Sequence, residues 1–404
     1  MEKKKIIFLI GATFFLLVSS GCATVRHAVP PNLLSKAEVV SMPGVRAYWS
    51  DSTSPIRQSI LDSIKQEGKD DYSVSADGVK IYPTLYISGG AANGAYGAGL
   101  LKGWSENGSR PMFKVVTGIS TGALTAPFAF LGKEYDGLLE QSYTTISTKD
   151  IMKFKSLIGI LFGDSLAINK PLQRYIKRLV TPDIVKKIAA EHMRGRRLFV
   201  GTVNLDAQRF VVWDMGAIAC KGDVELFRKV MLASAAIPTT FPPVYFQVEA
   251  DGKMYDEMHV DGGTLAQVFN LYGITKDIGS ALEAIGIDPK KIKGDNYIIR
   301  NGYVSANWQE VKDNLSSIAR RSFDTIINAQ GIGDTYRLYI YINKRGGNFN
   351  LAYIPPDVIP QEKEMFDKKE MRRLFDRGYQ DAIKGYDWHK IPPGFDEAEK
   401  ENQN

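Results

Sequence analysis

The chain has 404 residues, with 51 Lys and Arg against 45 Asp and Glu and a formal net charge of +6. So small an excess, with no basic run interleaved with aromatic residues, argues against a nucleic-acid partner. Only two cysteines occur, which rules out a disulfide framework, and no Cys/His spacing typical of a zinc site is present. The length suits one large α/β domain with extensions.

The N-terminus has the pattern of a secretory signal. Three lysines precede an apolar stretch at 6–18 that is too short to favour a transmembrane helix. The sequence SSGC at 19–22 resembles a bacterial lipobox, and the resemblance implies a signal peptide at 1–21 and a lipid on Cys22. By the same resemblance, Ala23 favours the outer membrane of a Gram-negative envelope. The alternative is an ordinary secretory signal followed by a chance cysteine.

Residues 22–80 are polar and punctuated by prolines. We expect most of this segment to be a tether between the anchor and a folded domain. One amphipathic helix is predicted within it at 54–66, because Ile56, Ile60 and Ile64 recur at helical spacing.

A strand predicted at 82–88 is followed by the turn GGAANG at 89–94 and a helix predicted at 95–106. Such a turn presents backbone N–H groups to an anion. A dinucleotide site is one interpretation, but the spacing G-x-G-x-x-G fails because residue 91 is Ala. An oxyanion hole agrees better, since glycines let backbone donors approach a tetrahedral intermediate closely. A tight helix start without a ligand is the remaining alternative.

The central feature is KVVTGISTGALTAPFAFL at 114–131, which predicts a short strand, a sharp turn and an apolar helix. This order is typical of a nucleophile elbow, in which a tight turn lifts a serine out of the sheet. Gly118 and Gly122 leave room for the turn, and Ser120 lies near a helix N-terminus that favours negative charge. The pattern G-x-S-x-G alone is weak, and its strand–turn–helix context gives it meaning.

The rest of the chain alternates helix and strand patterns. Helices are predicted at 134–146, 171–179, 224–236, 308–329 and 368–384. Strands are predicted at 198–203, 209–213, 258–260, 297–299 and 336–342. The apolar stretch 152–167 is either a lid or lipid-contacting loop, or part of the core. An excursion is expected at 271–295 and a polar tail at 396–404.

The strand predicted at 258–260 runs into Asp261-Gly262-Gly263. A carboxylate that leaves a strand at such a turn can project from the sheet edge that carries the serine, and an Asx-type turn residue is the alternative. His259, two residues earlier on the same face, is either a participant or structural. His192, in a basic helical stretch, is expected to be solvated.

Four features stand in a fixed order: the turn at 89–94, the elbow around Ser120, the segment ASAAIPTTFPP at 233–243, and Asp261 with its two glycines. Together they resemble the patatin-like phospholipase family over residues 82–267. The resemblance implies a three-layer α/β/α sandwich around a mainly parallel sheet. We therefore expect a catalytic domain at 81–345, followed by a C-terminal helical extension and tail at 346–404.

The resemblance also implies roles for single residues. Ser120 would be the nucleophile and Asp261 its base, and the backbone N–H groups of Gly89, Gly90 and Ala91 would form the oxyanion hole. An aspartate with the ordinary pKa of about 3.9 is a poor base for a serine hydroxyl. We therefore expect Asp261 to be desolvated, with a raised pKa.

Two positions depart from the family pattern. Ala91 stands where the family has a third glycine, and Asn93 where it has a basic residue. A backbone donor survives an alanine unless the position requires a positive φ. Loss of the cation bears on how a phosphate group would be recognised.

These features predict a membrane-anchored serine hydrolase that cleaves acyl esters of lipids, as a phospholipase A, lysophospholipase or lipase, without metal or cofactor. Acyl transfer to another alcohol by the same dyad is one alternative, and a non-enzymatic, lipid-binding envelope lipoprotein is the other. The expected partners are membrane lipids and the membrane surface. The sequence indicates no protein partner.

Overall fold

The computed structural model describes residues 26–395 apart from the single positions 41, 53, 162, 277, 307, 309 and 362. The predicted signal segment at 1–21, the lipid on Cys22 and the polar tail at 396–404 lie outside these residues. The strands are β1 (Glu38–Val39), β2 (Arg46–Tyr48), β3 (Lys80–Ile87), β4 (Val115–Gly118), β5 (Lys153–Phe154), β6 (Ala167–Ile168), β7 (Arg197–Asn204), β8 (Arg209–Asp214), β9 (Val244–Ala250), β10 (Lys253–Asp261), β11 (Ile292–Arg300) and β12 (Asn348–Tyr353).

The helices are α1 (Pro55–Gln66), α2 (Gly94–Glu106), α3 (Thr121–Leu131), α4 (Asp136–Thr144), α5 (Thr148–Ile151), α6 (Leu157–Leu161), α7 (Lys170–Leu179), α8 (Pro182–Met193), α9 (Met215–Cys220), α10 (Val224–Ser234), α11 (Tyr272–Thr275), α12 (Ile278–Ala284), α13 (Leu315–Lys344) and α14 (Lys368–Ile383). Several begin at a side chain that accepts a hydrogen bond from the first turn, as Thr181 does for α8 and Asp223 for α10. Within the described residues, no helix is both long and apolar enough to span a bilayer.

Ten strands form one mixed sheet, and β5 and β6 form a separate hairpin. The neighbouring strands β7, β4, β3, β11 and β12 run parallel. The antiparallel strands β8 and β10 pair with β7, and β9 pairs with β10. The carboxyl ends of β3 and β4 lie side by side, with Ile87 opposite Gly118. The two glycine-containing turns therefore leave the sheet at the same edge.

Both faces of the sheet are covered, because successive strand residues point to opposite sides. On one face Val116 and Val200 pack in a cluster with residues of α2, α3, α7, α8, α10 and α14. On the other face Phe199 packs near Ile56 of α1, and Ile298 packs near Leu338 of α13. The predicted three-layer α/β/α architecture with a mostly parallel sheet is confirmed.

The closing helix α14 packs tightly on α2. A Cβ on Gly99 would lie 2.0 Å from the carbonyl oxygen of Phe375, and one on Gly378 would lie 2.2 Å from that of Tyr96. Larger side chains at these positions would push the two helices apart. The helix is close to its predicted bounds, but it is part of a sandwich layer, and β12 extends the sheet. The described part of 346–404 is therefore not an extension outside the catalytic domain.

The expectation that 22–80 is mostly a tether is wrong for the described residues. Here β1 pairs with β9 and β2 pairs with β8. Arg46 forms a buried ion pair with Glu257. Strands of two or three residues carry too little alternation to be recognised in a sequence. The predicted helix at 54–66 is confirmed as α1.

The strand predicted at 336–342 is wrong, because these residues form the last turns of the 30-residue helix α13. Leu338 and Ile342, one turn apart, are buried against the sheet. A short apolar run is compatible with a strand or a buried helix face, and periodicity alone does not separate them. The strand at this edge is β12.

The expectation for His192 is wrong, and one of the two alternatives for the stretch 152–167 does not hold. His192 is buried rather than solvated, with Nδ1 3.6 Å from Asp214 Oδ1. The apolar stretch 152–167 does not pack into the core along its length, since Phe154 and Ile158 are 61% and 71% exposed. Its first and last residues, Met152 and Ala167, are buried.

Candidate active site

Ser120 lies between β4 and α3 in a strained turn, with φ 54° and ψ −122°. A non-glycine residue held in such a conformation costs about 1–3 kcal/mol. A Cβ on Gly118 would lie 2.4 Å from the Gly122 carbonyl oxygen, and one on Gly122 would lie 2.3 Å from that of Ile87. The two glycines therefore permit the close approach that the elbow requires, as the sequence predicted.

A second serine, not anticipated from the sequence, holds the elbow in place. The Ser120 N–H donates to Ser234 Oγ at 3.0 Å, and the Ser234 hydroxyl donates to the Gly201 carbonyl at 2.7 Å. Ser234 is fully buried at the end of α10. It lies within the segment 233–243 that contributed to the family resemblance, but nothing in its residue type indicated this contact.

Asp261 ends β10, opposite Thr202 of β7, and so reaches the sheet edge where β4 ends. Its Oδ1 accepts a hydrogen bond from the Gly263 N–H at 2.7 Å. Burial raises the pKa of Asp261 to about 7, although hydrogen bonds from the Ser120 side chain and the Gly263 N–H act in the opposite direction. The structure thus brings together the two side chains predicted to form the dyad.

The contact between the two side chains is loose. Among the described residues, no donor reaches Asp261 Oδ2 with regular hydrogen-bond geometry. That oxygen is buried, and the Ser120 hydroxyl is the side-chain donor that interacts with the carboxylate. Catalytic hydrogen bonds are often long before substrate binds and tighten in the complex.

The glycine-rich turn differs from its predicted role at one residue. The Gly89 N–H donates to the Gln267 carbonyl at 2.9 Å, so Gly89 is not available as an oxyanion donor in this structure. No acceptor within the described part of the chain takes the N–H of Gly90, Ala91 or Thr121. Ala91, Ser120 and Thr121 line the same cavity. Thr121 directly follows the nucleophile, which is a usual place for an oxyanion donor.

The turn is also more strained than the sequence argument allowed. Ala91 has φ 48°, in the left-handed region, where a side chain costs about 1–2 kcal/mol. Gly90 has φ 152°, and a Cβ there would lie 2.0 Å from the Asn301 carbonyl oxygen. Asn93 ends the 3₁₀ turn Ala91–Asn93 and does not line the cavity. At position 91, alanine therefore holds a backbone conformation that glycine would adopt without strain.

Gln267 connects the turn to the aspartate, and it was missed in the sequence. Its carbonyl accepts the Gly89 N–H, and its Nε2 donates to the Gly263 carbonyl at 2.9 Å. Its own N–H donates to buried Asp334 at 2.7 Å. One buried residue thereby fixes the glycine-rich turn relative to the loop that holds Asp261.

Asn301, directly after β11, supports the same turn. Its N–H donates to Ser88 Oγ at 2.8 Å, and its Nδ2 donates to the Ser88 carbonyl at 3.0 Å. These bonds fix the residue directly before Gly89. The sequence carried no signal for this contact, because the two residues are 213 positions apart.

A cavity begins at Ser120. Its walls are mostly aliphatic and aromatic and come from α3, α4, α7, the segment after α10, and α14; they include Leu124, Leu139, Ile146, Leu172, Ile237, Phe241 and Met371. The polar side chains among them are satisfied within the protein. Tyr143 bonds to Thr121 and Thr125, and Tyr175 donates to the Ser142 carbonyl. The cavity therefore presents an apolar surface to a ligand.

His259 is structural. It is fully buried, with Nδ1 2.9 Å from Thr202 Oγ1 and Nε2 3.0 Å from Glu257 Oε2. Burial lowers the pKa of His259. Both ring nitrogens are engaged away from Ser120, so the hydroxyl faces a carboxylate without an intervening imidazole. Among the described residues, no group of three or more His, Cys, Asp or Glu is arranged to hold a metal ion.

Fold and site define a class of protein: an α/β/α sandwich with a serine on a nucleophile elbow beside a buried carboxylate. Residues 85–269 match the model of one family, described as patatin-like phospholipase. Residues 85–269 are therefore a patatin-like phospholipase domain. A domain of this family supports lipid acyl hydrolase activity in general.

Other comparisons add little. No curated protein is significantly similar to the chain. Among solved structures, VipD from Legionella pneumophila is similar at 12% sequence identity and a TM-score of 0.37, over 78% of this chain and 69% of that one. A likeness this distant has no bearing on function.

Proposed function

We propose that the chain is a serine hydrolase that cleaves carboxylic ester bonds of lipids through a covalent acyl-enzyme. One observation carries the proposal: Ser120, on a strained elbow, faces Asp261 with its raised pKa at the mouth of an apolar cavity. Phospholipids, lysophospholipids and neutral acyl esters all have the fatty chain that such a cavity suits.

In the proposed mechanism, Ser120 Oγ attacks the acyl carbonyl carbon while Asp261 takes the hydroxyl proton. A pKa of about 7 leaves a large share of this carboxylate ionised at neutral pH and gives it useful basicity. The N–H groups of Gly90, Ala91 and Thr121 would bind the oxyanion, and each such donor is worth about 2.7–4 kcal/mol. The ester C–O bond then breaks as Asp261 returns the proton to the leaving alcohol, and water repeats the sequence.

The cavity supports a long acyl chain as the group transferred. Each methylene moved from water into an apolar site contributes about 0.8 kcal/mol. The satisfied hydroxyls of Tyr143 and Tyr175 leave no polar group that a chain would strand. The lipid anchor on Cys22 and an outer-membrane location remain part of the proposal, since an anchored enzyme is held beside its substrate.

An alkyl fluorophosphonate tests the chemistry directly. We expect one covalent adduct on Ser120, found by peptide mass spectrometry, together with release of fatty acid from lipid vesicles. Ser120→Ala should abolish both, while Ser73→Ala, at an exposed serine distant in sequence from the elbow, should change neither.

Two outcomes would redirect the proposal. Absence of both adduct and fatty acid with the folded protein would overturn it in favour of a lipid-binding module. Acyl esters formed with an added alcohol, in place of free fatty acid, would identify the enzyme as an acyltransferase.

A further inference from the structure

Residues 152–168 form a flap on the cavity wall, made of the hairpin β5–β6 and helix α6. The chain leaves the cavity lining at Ile151 and returns to it at Leu172. The N–H groups of Leu166 and Ala167 donate to the carbonyls of Thr239 and Thr240, at 2.7 and 2.9 Å. Ile237 and Phe241, on either side of that pair, also line the cavity. The flap is therefore attached to the cavity at both ends and along one strand.

The flap exposes large apolar side chains. Phe154, Ile158 and Leu166 are 61%, 71% and 42% exposed. The N–H of Lys155 donates to the Leu166 carbonyl at 2.9 Å, which holds β5 and β6 together. Apolar side chains clustered on one short element, rather than scattered singly, indicate a contact surface.

Many cations lie in and next to the flap in the sequence. Residues 149–178 contain seven Lys or Arg against two Asp, a net charge of +5 in a chain whose total is +6. The two aspartates are engaged locally, Asp150 with Ser147 and Asp164 with Lys155. The exposed cations of the flap and of the two helices beside it are Lys149, Lys153, Lys170, Arg174, Lys177 and Arg178.

Helix α7 connects the charge to the cavity. Leu172, Tyr175 and Leu179 line the cavity from its buried face, whereas Lys170 and Arg174 lie on its exposed face. A surface that binds this exposed face would be separated from the acyl cavity only by the thickness of one helix.

We propose that the flap and the exposed face of α7 dock on an anionic lipid bilayer, with Phe154, Ile158 and Leu166 inserted at the headgroup level. Apolar side chains ringed by Lys and Arg are the combination that binds such an interface. The inference rests on the proposed function, because docking here would place the bilayer next to the wall of the acyl cavity. A protein partner could also cover the exposed apolar side chains, but its binding would not depend on the charge of the lipid.

The test uses an environment-sensitive fluorophore on a single cysteine. The full-length chain carries Cys22→Ser and Cys220→Ser, because Cys220 is a free exposed thiol. It also carries Ser120→Ala, so that no lipid is consumed. The probe is attached at Ile158→Cys in one protein and at Met254→Cys in its control. Met254 is 48% exposed but lies at the end of β10 remote from Asp261.

With phosphatidylglycerol vesicles, we expect the emission of the probe at 158 to rise several-fold and shift to the blue, while the probe at 254 is unchanged. Phosphatidylcholine vesicles should give little response at either position. Lys153→Glu with Lys170→Glu should raise the lipid concentration for half-maximal response by about tenfold or more. The matched pair Lys253→Glu with Lys290→Glu, at exposed lysines distant in the sequence from the flap and from α7, should leave it within about twofold.

An equal response at 158 and 254, an equal response to both lipids, or no response at 158 would each overturn the docking proposal. None of these results depends on turnover. Docking can therefore fail while the fluorophosphonate adduct on Ser120 still forms, and the adduct can fail to form while docking is observed.

Discussion

The buried carboxylate of Asp261 should make folding stability and activity change in opposite directions with pH. Its pKa is raised from the ordinary value of 3.8 to about 7. The native state therefore holds a proton on Asp261 between pH 4 and pH 7 that the unfolded chain has released. Stability falls as pH rises through this window and is constant above it. Activity should rise over the upper part of the same window, because only the carboxylate can act as the base.

The magnitude follows from the two pKa values. At 1.36 kcal/mol for each pKa unit, the rise corresponds to about 4 kcal/mol of unfolding free energy lost between pH 4 and pH 8. Asp261→Asn removes the titration but keeps an oxygen that can accept the Gly263 N–H. Relative to the wild type, this variant should become more stable by about 4 kcal/mol over that range. It should also lose about 10²–10⁴ in rate.

Urea denaturation of both proteins at pH 4, 6 and 8 measures the difference, and kcat/KM of the wild type should fall about tenfold per pH unit below pH 7. Asp206→Asn serves as a control, because its effect on the free energy of unfolding should depend on pH in the opposite direction. A hydrogen bond from Arg26 holds the pKa of Asp206 below its usual value, so this variant should lose stability at neutral pH and match the wild type in acid. Parallel stability curves for wild type and Asp261→Asn would refute the reasoning.

Four further predictions concern the elbow, the turn, the cavity and the residue that connects them. The free energy of unfolding of Ser120→Gly, measured by urea denaturation, should exceed that of Ser120→Ala by about 1 kcal/mol, because glycine relieves the strain at φ 54°. The reverse order would contradict the strained elbow. Ala91→Gly should stabilise by about 1 kcal/mol and still form the fluorophosphonate adduct, since φ 48° favours glycine; a loss of stability would show that the strain is absent. Leu172→Trp should lower kcat/KM for long-chain relative to short-chain esters by about 10²-fold, the loss of some four buried methylenes; an unchanged ratio would exclude the cavity as the acyl site. Gln267→Glu should move the pH midpoint of kcat/KM above 7, because a second carboxylate near Asp261 disfavours the charged form of Asp261. If kcat falls but the pH midpoint does not change, the role of Gln267 is purely structural.

Much of the site could be predicted because it consists of local patterns. Ser120, its two glycines and Asp261 each lie at the end of a strand with a recognisable turn after it. A residue such as Gln267 could not be found in this way. Its partners Gly89 and Asp334 are distant in the sequence, and the bonds to Gly89 and Asp334 use backbone groups, to which residue identity gives no clue.

The difference between local sequence patterns and contacts made in the tertiary structure also explains the errors in the predicted fold. The long, regular patterns of α2 and β7 were predicted nearly to their ends, while β1 and β2 were too short to produce a signal. The apolar run at 336–342 was assigned to a strand because apolar residues also occupy the solvent side of this helix, where Ile340 is 58% exposed, and they obscure the helical periodicity. The availability of an N–H group, as at Gly89, depends on a partner that only tertiary structure supplies.

The position of α14 has a consequence for the order in which the protein matures. Met371 belongs to the cavity wall, and α2 packs against α14 through Gly99 and Gly378. A growing chain therefore holds its serine and aspartate well before the acyl cavity is closed. Hydrolysis of long-chain esters should therefore require α14 to be folded in place, and a chain cleaved before Met371 should be inactive toward them.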